Sequence, residues 1–146
     1  MARVQLQLPQ KSIFKFTLPV AITDINYGKH LGNDKVLGFM HETRVRFFEW
    51  LGFSESDIEG VSVIQADTAV IYQSEAFHKD LIEVHISVGE FTRAGFEIYY
   101  RLFNLTQQKE CALAKTGMVC FDYTERKVKS VPISFREKCE QLMNNA

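Results

Sequence analysis

The spacing of hydrophobic positions changes along the chain. Apolar side chains recur every three or four residues between residues 34 and 52, and at about every second residue in most other segments. The first spacing is typical of one face of an α-helix, and the second is typical of a half-buried β-strand. Residues 12–18 (SIFKFTL) therefore predict a first strand that ends near Pro19. Four longer strands rich in β-branched and aromatic residues are predicted within residues 61–77, 81–91, 95–105 and 110–123.

The helical segment has recognisable ends. Asn33 or Asp34 is expected to cap its N-terminus, and Gly52 stands where it should stop. Its apolar stripe consists of Val36, Leu37, Met40, Phe47, Phe48 and Leu51. The charged residues outside the centre of that stripe are Arg44, Arg46 and Glu49.

Gly38 lies in the middle of this helix. A glycine there costs about 1 kcal/mol relative to alanine. We expect a close approach of the helix to a neighbouring backbone to offset this cost, and a sheet is the natural neighbour.

The connections between the predicted strands are short, which favours antiparallel neighbours. Residues 54–60 (SESDIEG) predict a short helical turn, and Pro132 begins a last amphipathic helix. The predicted architecture is a single α+β domain over residues 1–146, with one long helix on an antiparallel sheet of five or more strands. Because one helix cannot cover both faces of such a sheet, we expect an oligomer.

Composition and cysteine spacing argue against several functional classes. A formal charge of -1 with 46% hydrophobic and 24% charged residues is ordinary for a globular protein, and gives no reason to expect nucleic acid as a partner. The three cysteines lack CxxC spacing, which argues against a disulfide framework and a structural zinc site. No apolar run has the length of a signal peptide or a membrane span, so a cytoplasmic protein is expected. We also expect no metal site and no cofactor.

Residues 23–34 (TDINYGKHLGND) concentrate polar side chains directly before the helix. One interpretation is a connecting loop with a helix cap, in which Glu42 forms an i,i+4 pair with Arg46. The other interpretation is a reaction site. Glu42 follows Asn33 by about 13 Å along the helix axis and adjoins the apolar stripe, where burial would raise its pKa and suit it as a base or nucleophile.

In that second interpretation, the main-chain N–H groups around Gly32, Asn33 and Asp34 would polarise a thioester carbonyl or bind an oxyanion. Asn26 and His30 would hold water or substrate. The chain has no G-x-S-x-G, P-loop or H-E-x-x-H motif.

The segment TDINYGKHLGNDKVLGFMHETRVRFF resembles the entry loop and central helix of the hotdog-fold acyl-CoA thioesterases, in particular the hydroxybenzoyl-CoA thioesterase-like branch. That branch typically reads D-x-D-x-x-G-H-V-N-N, followed by a helix with an acid. The segments SEAFHKDLIEVHISV, RAGFEIYYRLFN and AKTGMVCFDYTERKVKSVP are similar to later strands of the family. The resemblance implies a homodimer or homotetramer that acts on an acyl-CoA or acyl-carrier-protein thioester.

The resemblance implies the roles of individual residues. Asp24, Asn26, His30 and Glu42 match its loop and helix positions as candidate catalytic residues. Asn26 replaces the second aspartate of the motif, so the carboxylate should come from Glu42 first and Asp24 second. Lys29 stands where the family has glycine. Arg93 and Lys115 are candidates for the coenzyme A phosphates.

Two other functions remain open at this point. The same fold hosts hydratases and dehydratases, whose His-acid motif is not evident around His41, His78 or His85. The exchange of Asp for Asn at position 26 would also suit a protein that binds acyl-CoA without turnover.

Overall fold

A computed structural model describes residues 2–146 and confirms the α+β prediction. Two helices and a six-stranded sheet follow one another in the order β1 (Phe14–Pro19), α1 (Asn33–Leu51), β2 (Ser62–Tyr72), β3 (Leu81–Gly89), β4 (Gly95–Asn104), β5 (Lys109–Asp122), β6 (Lys127–Val128) and α2 (Ile133–Asn145). A single 3₁₀ turn at Ile22–Asp24 lies between β1 and α1. Both helices and three of the four long strands agree closely with the predicted segments, whereas β2 ends at Tyr72, five residues before the end of its predicted segment.

The sheet is antiparallel throughout, in the order β1-β3-β4-β5-β2, and the short β6 pairs with β5. The strand β2 is therefore an edge of the sheet, although it is eleven residues long. Its register with β5 shifts between Gln65 and Asp67. An edge of this length exposes a row of main-chain groups to a further strand.

The core lies between α1 and one face of the sheet. Side chains at every second position of β3 point into it because successive residues of a strand face opposite sides. The helix contributes Phe47 and Phe48, both fully buried. Facing them are the buried sheet residues Ile82, Val84, Ile86, Ile98, Tyr100 and Leu102. At one end, Phe135 of α2 stacks on Phe48 with ring centroids 5.9 Å apart, so the terminal helix closes that end.

Several sequence-based expectations about α1 and its flanks are wrong. The N-cap is Gly32 rather than Asn33 or Asp34, and it provides no side-chain cap. Arg44 is buried rather than outside the apolar stripe, because partners distant in sequence bind it. Residues 54–60 form turns closed by isolated β-bridges instead of a helical turn.

The surroundings of Gly38 also differ from the prediction. It is exposed, and a Cβ built on it would meet nothing within 4 Å. The helix therefore does not approach the sheet of its own chain at this residue. The end of the helix is as predicted, because Gly52 adopts the left-handed conformation with φ 91°.

Candidate active site

The loop before α1 is fastened by the side chain of Asn26. Its Oδ1 accepts hydrogen bonds from the main-chain N–H groups of Gly28 (3.0 Å) and His30 (3.5 Å). The main-chain N–H of Asn26 donates to the carbonyl of His30 at 2.9 Å. Between them Lys29 is left-handed, with φ 68°. Glycine adopts that conformation without strain, whereas lysine adopts it at a cost.

Asp24 and His30 hold the two ends of the same loop. Oδ2 of Asp24 accepts from the N–H of Ala21 at 2.9 Å, and its carbonyl accepts from the N–H of Gly32 at 3.0 Å. Nδ1 of His30 lies 3.1 Å from the carbonyl of Leu31. Because a carbonyl can only accept, this contact places the proton of a neutral imidazole on Nδ1 and leaves Nε2 as an acceptor.

The first turn of α1 presents main-chain donors to the solvent. The N–H groups of Lys35 and Val36 bind the carbonyl of Gly32. The N–H groups of Asn33 and Asp34 have no protein acceptor within residues 2–146. These two donors carry the partial positive charge of the helix N-terminus. Such a pair can bind a carbonyl oxygen as it becomes negative.

Gly32, the residue before these donors, lies close to the side chain of Asp34. A Cβ at position 32 would lie 2.6 Å from Oδ1 of Asp34, so a larger residue would displace that exposed carboxylate. Its own N–H is bonded to Asp24, so Gly32 is not one of the available donors. Of the three sequence candidates for binding the substrate carbonyl, only Asn33 and Asp34 therefore offer a main-chain donor.

A cleft of about 240 Å³ opens beside these donors. It is lined by His30, Asn33, Tyr72, Gln73, Ser74 and Glu75. The hydroxyl of Tyr72 donates to the carbonyl of Asn33 at 3.3 Å, which ties the end of β2 to the start of α1. The pKa of Tyr72 is raised, mainly by burial and to a smaller extent by the charge of Asp34, so its hydroxyl stays protonated.

Glu42 lies on the face of α1 that points away from the sheet. Its side chain is 46% exposed, and Oε2 accepts from Nε of Arg46 at 3.0 Å. The i,i+4 pair considered from the sequence is therefore present. Within one protomer no dry cleft surrounds the carboxylate, contrary to the expectation. Helix geometry places its Cα about 12 Å along the axis from that of Asp34, too far for both residues of one chain to act on the same carbonyl.

A second polar cluster, not identified from the sequence, surrounds the buried Arg44. Its Nε donates to Oε1 of Glu55 at 2.9 Å, and its Nη1 donates to the hydroxyl of Tyr100 at 3.1 Å. Nε2 of His41 lies 3.5 Å from the same Oε1. Desolvation alone would lower the pKa of Arg44, but Tyr100 and Glu55 outweigh it and the pKa is raised. No local pattern predicts this cluster, because its members come from α1, a turn and β4.

Arg93 and Lys115, the candidates for binding the coenzyme A phosphates, lie away from the loop before α1. Arg93 donates from Nη1 to Oγ of Ser130 at 3.1 Å. It adjoins the end of the sheet where Ser62 pairs with Phe121, while Tyr72 and α1's first turn are at the other end. Lys115 is held by Asp67 at 2.9 Å and Glu97 at 3.0 Å. The protomer thus brings neither cation to the loop.

Within residues 2–146, no three His, Cys, Asp or Glu side chains lie close enough together to hold a metal ion. Over the same range, neither helix is sufficiently long and apolar to cross a bilayer. The three cysteines are free and buried.

Comparison with known proteins decides the family. A family model described as the thioesterase-like superfamily matches residues 20–139, which is most of the chain. The chain belongs to the thioesterase-like superfamily. A search of curated protein sequences gives no match.

Several solved structures share the fold of this chain. A 1,4-dihydroxy-2-naphthoyl-CoA thioesterase from Synechocystis aligns with a TM-score of 0.80 and 17% identity, over 88% of this chain and 96% of that one. A DHNA-CoA thioesterase from Staphylococcus aureus gives a TM-score of 0.77 and 17% identity, over 90% and 92%. A hypothetical protein from Staphylococcus aureus in complex with CoA gives a TM-score of 0.82 and 15% identity, over 97% of this chain and 89% of that one. The predicted hotdog fold is confirmed.

Proposed function

We propose that the protein hydrolyses the thioester of an acyl-CoA or acyl-carrier-protein substrate, and that the main-chain N–H groups of Asn33 and Asp34 hold the thioester carbonyl. The observation that carries this proposal is the pair of unpartnered donors at the start of α1, beside an open cleft. Membership of the thioesterase-like superfamily supports the reaction class. A donor pair of this kind stabilises the oxyanion that forms when water attacks a thioester.

The loop residues act by holding this donor pair in place. The main-chain carbonyl of Asp24 accepts from the N–H of Gly32, and Nδ1 of His30 contacts the carbonyl of Leu31, so both residues fix where the helix begins. The amide oxygen of Asn26 is committed to the loop, and its nitrogen is left to orient water or substrate. An amide is not a base at neutral pH, so the proton of the attacking water goes to a carboxylate, and we assign that role to Glu42.

A second copy of the chain brings Glu42 to the donors. Gly38 places no side chain on the exposed face of α1, so another helix can approach closely there, and Leu37 beside it is 44% exposed. If two antiparallel copies of α1 cross at Gly38, residue 42 of one copy lies level with residue 34 of the other, since both are four residues from the crossing. Each site then combines the donors of one copy with the carboxylate of its partner. The crossing also offsets the cost of a glycine within a helix.

The exposed edge strand β2 supports the same homodimer, because two copies can pair there into a continuous sheet. Pairing of dimers would give the homotetramer. An antiparallel arrangement also brings the Arg93 end of one copy towards the donor end of the other. We therefore keep Arg93 as the proposed contact for the phosphates of coenzyme A, supplied from the second copy.

Release of free thiol from acetyl-, hexanoyl-, palmitoyl- and benzoyl-CoA tests the function. We expect hydrolysis of at least one substrate, and a loss of about 100-fold or more in kcat for Glu42→Gln. The matched control is Arg46→Gln, which removes the partner of Glu42 but no reacting group, and should retain most activity. Full activity of Glu42→Gln would remove the proposed base.

The donors are tested by Asn33→Pro. Proline is well tolerated at the first position of a helix and lacks an N–H, and Gly32 already has the extended backbone, with ψ 144°, that a residue before proline requires. We expect a folded protein with activity reduced about 100-fold. Unchanged activity would show that this N–H does not bind the carbonyl.

A second candidate function is binding of acyl-CoA without turnover. The commitment of the Asn26 amide to the loop favours it, since this position carries an acid in the resembling motif. Binding of acyl-CoA with no thiol released in a single-turnover experiment would support this candidate against hydrolysis.

A further inference from the structure

We propose that His41 protonates the departing thiolate, and that Glu55 is the residue that positions it. The proposal rests on the proposed thioester hydrolysis and adds a proton donor to the base and the carbonyl-binding groups already described.

The first support is the way Glu55 is held. Oε1 of Glu55 accepts from Arg44 Nε at 2.9 Å and lies 3.5 Å from Nε2 of His41. Its main-chain carbonyl accepts from the N–H of Val63 at 2.8 Å, so the turn itself is fixed. The Glu55 carboxylate thus lies between a buried cation, which it binds, and the imidazole of His41, whose side chain is 59% exposed.

The second support is that the buried Arg44 is not needed for the stability of the core, so another role is expected for it. Arg44 is buried, and its second contact, Tyr100, is fully buried and bonded in turn to Thr116 at 2.7 Å. Apolar side chains of similar volume often stabilise a core as well as a buried ion pair does. The chain of polar groups does, however, fix Glu55 at the surface beside His41. Because Nε2 of His41 is the ring nitrogen beside the Glu55 carboxylate, Nδ1 is the ring nitrogen left to meet a substrate.

The third support is the position of His41 relative to Glu42 and Gly38. At 3.6 residues per turn, His41 projects about 60° to one side of the Gly38 direction and Glu42 about 40° to the other. A second helix that crosses at Gly38 therefore presents its N-terminal donors between the imidazole and the carboxylate. The two side chains would approach a bound thioester from opposite sides.

With Glu42 and His41 on opposite sides of the thioester, both proton transfers of its hydrolysis can be assigned. A water oxygen attacks the carbonyl carbon while Glu42 accepts the proton of that water. The carbon–sulfur bond then breaks, and the sulfur takes a proton from Nδ1 of the His41 imidazolium, because Nε2 faces Glu55. The products are the carboxylic acid and the free thiol. The proton on Glu42 returns to His41 through solvent, which restores both groups.

A change of leaving group tests the proposal. The first substrate is whichever of acetyl-, hexanoyl-, palmitoyl- and benzoyl-CoA the unmodified protein hydrolyses fastest, and the second is the S-(4-nitrophenyl) thioester of the same acid. An alkyl thiol of the cysteine type has a pKa of about 8.5, whereas nitrothiophenol is much more acidic and leaves without a proton. We expect His41→Asn to lower kcat about 100-fold with the acyl-CoA and less than about 5-fold with the nitrophenyl ester.

Two further variants complete the design. Glu55→Gln keeps an oxygen for Arg44 but removes the negative charge, and should show the same dependence on leaving group in weaker form. His78→Asn, at an exposed histidine of the loop between β2 and β3, is the matched control and should retain activity with both substrates. Equal losses with both substrates for His41→Asn, or no loss with acyl-CoA, would overturn the proposal.

The outcomes also separate this proposal from the proposed function. Glu42→Gln should lose activity with both substrates, because attack by water is needed in each case. An unmodified protein that hydrolyses neither substrate would overturn both proposals. Hydrolysis that depends on Glu42 but shows no leaving-group effect at His41 would overturn this one alone.

Discussion

Substitution of Gly38 has opposite expected effects on the protomer and on the assembly. Nothing lies within 4 Å of a Cβ at this position, so Gly38→Ala introduces no clash within the chain. Alanine is favoured over glycine in a helix interior by about 1 kcal/mol. The free energy of unfolding of the protomer should therefore rise by about 1 kcal/mol, which corresponds to about 2–4 °C in Tm for a domain of this size.

The proposed crossing responds differently. Packed helices lie about 8–10 Å apart, depending on the side chains at the contact, and a glycine at the contact permits the smaller separation. Gly38→Ala should weaken the dimer moderately. Gly38→Leu should dissociate it and abolish thioester hydrolysis, since each site would lose the carboxylate of its partner.

Sedimentation velocity over a range of protein concentrations measures the assembly, and urea unfolding at low concentration measures the protomer. Glu137→Leu is the matched control, because it adds the same side chain to an exposed helical position of α2, outside α1 and its proposed contact face. A Gly38→Leu protein that remains a fully active dimer would refute the reasoning, as would a Gly38→Ala protomer less stable than the unmodified one.

Three other expectations concern the fold. Asp80 accepts from Phe77 N–H, Asn104 and Gln107; although desolvation raises its pKa, these bonds outweigh it and the pKa is lowered. The stability that they provide is therefore present above the unfolded pKa of about 4 and lost as pH falls through the lower folded value. Asp80→Asn should cost about 1–3 kcal/mol in urea unfolding at pH 7, and this difference should shrink in acid; a cost independent of pH would contradict the assignment. Lys29→Gly should stabilise the protein by about 1 kcal/mol, because residue 29 has a φ of 68°, which glycine adopts at lower cost than lysine. A rise in Tm is therefore expected, and a lower Tm would contradict the reasoning. Burial raises the pKa of the three thiols, to about 11 for Cys120 and about 12 for Cys139, so Ellman's reagent at pH 8 should react with them only after unfolding; rapid reaction of the folded protein would show that they are accessible.

Much of the fold follows from local sequence pattern. The period of α1 and the glycine after it determine a helix of the observed length, and the alternation along β3 and β4 determines which side chains face the core. The short connections determine antiparallel pairing. These features depend on residues that are close in sequence, so the sequence alone predicts them.

The site depends on contacts that local pattern does not contain. Arg44 appears polar and exposed on a helical wheel, but Glu55 and Tyr100 stabilise it in the core. The helix begins one residue after Gly32 because Asp24 binds the N–H of that glycine, and not because a side chain caps it. The sequence correctly indicates that Gly38 needs an explanation, but its neighbour is not this chain's own sheet.

The shared site is tested most directly by mixing two inactive variants. Asn33→Pro lacks a carbonyl-binding donor, and Glu42→Gln lacks the base. In a symmetric dimer with shared sites, each hybrid keeps one intact site, so random exchange of subunits should restore about one quarter of the unmodified activity. Thiol release that stays at the level of the separate variants after complete exchange would contradict a site built from both copies.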